Sequence, residues 1–144
     1  MGLAVRGGGR TVNDLRALVV TPDGEIEEKW LPAAGQDFLE SLYAVINCDT
    51  VEAVRLGECG RQATMYVDEE GRLPIPNEYA TVLVGGFNHA VDQMYYGTAV
   101  FLGSCDRHGD DTSLSDRADT YIRALMVLIK FGAVTIRSLQ RGQF

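Results

Sequence analysis

The sequence predicts an α+β domain, a mainly antiparallel sheet of about five strands with two or three helices packed against it. Three observations predict it. Short stretches rich in Val, Ile and aromatic residues recur between turn clusters of Gly, Pro and Asp. Two longer stretches, 36–48 and 117–131, place apolar residues at helical spacing. Finally, 144 residues, 46% hydrophobic and 23% charged, make one ordinary domain whose core needs no metal or disulfide staple.

The elements follow in order. Residues 1–14, with Gly7, Gly8 and Gly9 in a row, form a leader ahead of a single domain over 15–144. "RALVVT" (16–21) is a strand, and "EIEEKWL" (25–31) returns beside it. Between them Pro22 presets a turn dihedral and Gly24 is free to take a positive φ. "QDFLESLYAVINC" (36–48) sets Phe38, Leu39, Leu42, Val45 and Ile46 on one helical face, with an acid in the first turn to suit the dipole. "TVEAVRL" (50–56) and "ATMYVDEEGRL" (63–73) are further strands, the second closed by an acidic turn at Gly71.

"GRLPIPNEYATVL" (71–83) is a stiff corner. Pro74 and Pro76 push Leu73 and Ile75 towards extended backbone, and Asn77 caps the helix that follows. Gly85 and Gly86 are expected to end that helix. "YYGTAVFLG" (95–103) is a buried strand, and Ser113 or Ser115 caps the helix over 117–131. Its stripe of Ala118, Tyr121, Ile122, Leu125, Leu128 and Ile129 is widened by Met126 and Val127. "AVTIRSL" (133–139) reads as a last short strand.

Charge is unevenly distributed. Residues 17–119 hold 19 acids against 6 bases, a net of −13, between basic ends. Such a centre repels the nucleic-acid backbone, so direct nucleic-acid binding is not expected. The longest apolar run, "ALMVLI" (124–129), is too short to cross a bilayer. Three cysteines, an odd number, with no signal-peptide pattern point to a cytoplasmic protein with reduced thiols.

"LVVTPDGEI", "VEAVRL", "VDEEGRLPIPNEYAT" and "YYGTAVFLG", in this order and spacing, resemble an uncharacterised domain-of-unknown-function family of actinobacteria and firmicutes, their phages and their plasmids. The likeness covers about residues 16–105. Its most specific part is Glu69, Glu70, Gly71, Leu73, Pro74, Asn77 and Ala80, supported by Gly97 to Val100. The resemblance carries no reaction to transfer. It implies an accessory role on host machinery or host defence, inside the bacterial host.

The chemistry has to come from the residues. Cys105 and His108 with Asp106, Asp110 or Asp111 are the best metal candidates, but two ligands three apart without a second pair fall short of a site. Cys59, beside Arg61, is the one candidate nucleophile. No phosphate loop or nucleophile elbow is present. No cofactor or metal is expected, and the sequence leans away from an enzyme.

The leading expectation is a small binding protein of a phage or mobile element that sequesters a host protein or a nucleotide signal. Arg55, Arg61 and Arg72 are its candidate phosphate ligands, and Tyr95 and Tyr96 its candidate aromatic surface. Glu69 and Glu70, and the helical stripe of Leu125, Met126, Val127 and Ile129, are candidate partner surfaces, the stripe suiting a homodimer. The alternatives are an acidic nucleic-acid mimic that blocks a DNA-binding host enzyme, and an enzyme using Cys59 or the 105–111 loop.

Overall fold

The computed structural model describes residues 13–33, 35–70 and 74–132. Five strands run as β1 (Leu15–Val20), β2 (Ile26–Leu31), β3 (Val51–Leu56), β4 (Ala63–Asp68) and β5 (Ala99–Leu102). The helices are α1 (Gly35–Ile46), α2 (Glu78–Asn88) and α3 (Asp116–Lys130). The sheet is antiparallel throughout, in the order β2-β1-β5-β4-β3. The fold is therefore α+β.

Residue pattern decides strand position. β1, β4 and β5 are the central strands, and their "ALVV", "ATMYVD" and "AVFL" are buried on both sides. β2 ("IEEKWL") and β3 ("VEAVRL") carry the charges and form the two edges, where charged side chains discourage pairing with another chain. Register ties the halves together at Phe101, which lies opposite Leu18 of β1 and Met65 of β4. Phe101 is fully buried, and burying such a side chain contributes roughly 1.5–3 kcal/mol.

Strand alternation sends side chains to two separate cores. Ala17, Val19, Tyr66, Val100 and Leu102 meet Phe38, Leu42 and Ile46 of α1 on one face. Leu18, Val20, Met65 and Phe101 meet α2 and α3 on the other. The β1–β2 turn is closed by Thr21, whose carbonyl accepts from Gly24 N–H at 2.9 Å. Gly24 sits at φ +87, and an added Cβ would lie 2.6 Å from the Tyr79 ring, so any other residue there is strained and must displace Tyr79.

Three expectations need correction. Gly85 and Gly86 do not end α2; it runs through them to Asn88, and His89 takes the left-handed C-cap at φ 60. Each glycine costs about 1 kcal/mol against alanine in a helix, but α2 is buried from Ala80 to Phe87, and that packing wins. The "YYGTAVFLG" strand shortens to four residues, because Tyr96 makes only an isolated bridge to Pro76 before Gly97 turns the chain at φ 79. Asp14, read as leader, is buried ahead of β1. The stretches 1–12 and 133–144, including the last expected strand, lie outside the described residues.

Candidate functional site

Among the described residues, one open groove of about 830 Å³ is built by three segments far apart in sequence. The first is the β3–β4 connection, with Gly57, Glu58, Arg61 and Gln62. The second is the end of α2, with Phe87, Asn88 and His89. The third is the start of α3, with Ser115, Arg117 and Tyr121. The volume falls in the range of sites for small organic ligands, roughly 300–1,000 Å³.

Each wall is pinned. Asn88 Oδ1 accepts from Gly57 N–H at 2.7 Å, which holds the end of α2 against the β3–β4 connection. Ser115, one of the two serines expected to cap, does so through Ala118 N–H at 3.1 Å. Ser113 instead accepts from Arg16 N–H at 2.9 Å, and Leu114 N–H donates to the Arg16 carbonyl at 2.9 Å. The start of α3 is thereby stitched to β1. Phe87 and Tyr121 meet edge to face, with centroids 4.9 Å apart. Burial pushes the Tyr121 phenol above its ordinary pKa, so it stays neutral in the physiological range.

The electrostatics turn on which charges are already paired. Arg16 binds Asp116 at 2.9 Å and Asp119 at 3.3 Å, and Arg123 Nε donates to Asp119 at 2.7 Å. The carboxylates nearest Arg117 in sequence are thus occupied by other arginines. Among the described residues, neither Arg61 nor Arg117 makes an ion pair. Arg61 and Arg117 both line the groove, against one acidic residue, Glu58. Such a pair can accept a phosphate or another dianion through bidentate, charge-assisted bonds.

The residues singled out from sequence scatter. Arg55 donates to Thr64 Oγ1 at 3.0 Å and does not line the groove, so only Arg61 of the three arginines reaches it; Arg72 lies outside the described residues. Tyr95 packs on the core with its phenol pushed up by burial and then by Glu52 and Asp92, while Tyr96 is 41% exposed. Glu69 and Glu70 sit in the exposed turn after β4. Leu125 and Met126 belong to the chain's own core, Ile129 packs against it, and Val127 and Leu128 face outward with Phe131. Leu125 and Met126 therefore offer no surface to a partner.

Cys59 is exposed, with a left-handed φ of 58, and Cys48 and Cys105 are partly buried; no disulfide joins any two of them. Neither histidine hydrogen-bonds a serine, threonine or cysteine among the described residues, and no three His, Cys, Asp or Glu side chains come together as metal ligands there. The 105–111 loop is organised by its own backbone instead. Asp106 accepts from the amides of His108 at 2.8 Å and Asp110 at 3.0 Å, which holds its carboxyl below the usual range. Asp111 accepts the Tyr66 hydroxyl at 2.6 Å, anchoring the loop to the sheet.

The family model for a domain of unknown function, DUF3846, matches residues 15–126. The chain belongs to this family. The DUF3846 match begins with β1 and extends beyond residue 105 into α3, so it spans all three walls of the groove. No curated protein and no solved structure matches the chain.

Sequence reasoning missed Arg117, Tyr121 and His89 as groove residues. One signal was available for Arg117. A cation in the first turn of a helix opposes the dipole, and in "SDRAD" it stands alone between acids.

Proposed function

We propose that this chain is a small non-enzymatic binding protein that holds a small anionic molecule in the groove between Arg61 and Arg117. The observation that carries this reading is the pair of guanidiniums on separate, pinned elements, both without carboxylate partners among the described residues. Unpaired cations in a partly enclosed site raise the local concentration of an anion and bind it with directed hydrogen bonds. In this reading the protein is an accessory of a phage or mobile element, and it acts by withdrawing a host signal from circulation.

Pyrophosphate is a suitable first probe. It should raise the melting temperature of the wild-type chain, less so at high salt, and the rise should disappear in Arg61→Ala and Arg117→Ala. An unchanged melting temperature at millimolar pyrophosphate rejects the groove as an anion site. An acidic nucleic-acid mimic remains the second reading, motivated by the net charge of −13 over residues 17–119. Retention of a DNA-binding host enzyme on the immobilised chain, lost in Glu69→Lys/Glu70→Lys but kept in Arg61→Ala, would favour it.

A further inference from the structure

We infer that the anion held in this groove is the phosphate of a nucleotide, with the base laid against the Tyr121 ring. The inference rests on the anion-binding reading above and adds the class of ligand. An inorganic anion needs only the two arginines. The groove offers more: a volume of about 830 Å³, an aromatic wall, and the polar groups of Glu58 and Gln62.

The aromatic wall is fixed in place. Tyr121 is half-buried and meets buried Phe87 edge to face, which leaves it few ways to turn away from a ligand. A held aromatic ring suits a planar heterocycle, because every base has a π-face to stack on it. Glu58 supplies the complementary polarity. A carboxylate only accepts hydrogen bonds, so beside two guanidiniums it suits a ligand that carries N–H donors as well as negative charge. A nucleobase joined to a phosphate has both.

The two ends of such a ligand meet different elements. The phosphate falls to Arg61, from the β3–β4 connection, and Arg117, from the first turn of α3. The base falls to Tyr121, one turn further along α3. Arg117 and Tyr121 are four residues apart, so both lie on one face of the helix. Asn88 acts indirectly, by holding the α2 end to Gly57 and so setting the width of the groove.

Isothermal titration of the full 144-residue chain tests this, with guanosine and adenosine 5′-monophosphate, the two free nucleosides and pyrophosphate as probes. At least one nucleotide should bind tenfold or more tighter than both its nucleoside and pyrophosphate. Arg61→Ala and Arg117→Ala should each weaken the nucleotide by about tenfold or more. Tyr121→Ala should weaken the nucleotide by a similar factor yet leave pyrophosphate unchanged, and Tyr121→Phe should restore binding. Circular dichroism checks that each variant is folded; if Tyr121→Ala is not, Tyr121→Leu replaces it. Pyrophosphate binding as tightly as either nucleotide, and indifferent to Tyr121, overturns the nucleotide assignment while the anion groove stands. If neither pyrophosphate nor nucleotide binds, both readings fail.

Discussion

The corner at Asn77 and the groove at Arg61 and Arg117 treat polar groups in opposite ways. Asn77 is fully buried, and its side chain is saturated: Oδ1 accepts from Ala80 N–H at 2.9 Å, and Nδ2 donates to the carbonyls of Val20 at 3.0 Å and Gly97 at 2.8 Å. It caps α2, and it also pins α2 to the end of β1 and to the segment before β5. The groove arginines are open to solvent and carry no ion pair among the described residues. A saturated buried polar group is there for the fold, since leaving any of its partners unmade costs free energy. An unsaturated pair of charges facing a groove contributes nothing to the fold and is available for a ligand.

Variants can break that contrast or sharpen it. Asn77→Ala should have the largest effect, about 3 kcal/mol of destabilisation in urea unfolding, against about 1 kcal/mol for loss of a cap alone. It strands a buried amide and two buried carbonyls. A loss near 1 kcal/mol would mean that Asn77 is only a cap, and the contrast would weaken.

Tyr66→Phe comes next, with a loss of about 1–2 kcal/mol as the hydrogen bond to Asp111 disappears. Its pH dependence has a defined sign. Burial first, then the bond to Asp111 and its charge, push the Tyr66 phenol well above the ordinary value near 10, and burial also raises Tyr95 and Tyr121. Above about pH 10 the unfolded chain releases these protons while the folded chain keeps them, so stability falls as pH rises through that range. Thermal melts of wild type should show the alkaline decline, and Tyr66→Phe should flatten it.

Arg61→Ala and Arg117→Ala should change stability least, within about 0.5 kcal/mol, because no partner is lost. A larger loss in either would assign that arginine to the scaffold and remove it from the site.

Most of the fold was legible because its signals are local. Alternation and turn chemistry placed the 16–31 hairpin, and helical spacing placed 36–48 and 117–131 within one or two residues of α1 and α3. Gly85 and Gly86 misled because a helix end is decided by which residue takes the left-handed position, and packing moved that to His89. The site was far less legible. Its walls come from residues 57–62, 86–89 and 115–121, and nothing along the chain announces that these converge. Tyr121 looked like one more core residue of the stripe, and only its position beside Phe87 at the groove separates it from Ile122.

The place of β5 has a consequence for how the chain is made. Last of the five strands to leave the ribosome, it lies in the middle of the sheet, between β1 and β4. The hairpins β1–β2 and β3–β4 pair residues close in sequence and can form as they emerge. Each still presents an unpaired inner edge until residues 99–102 arrive to bridge them. From the completion of β4 at Asp68 until Ala99 emerges, the nascent chain holds two separate ribbons with sticky flanks. Any arrest or truncation before Ala99 leaves it so, prone to pair with its neighbours on a polysome rather than with itself.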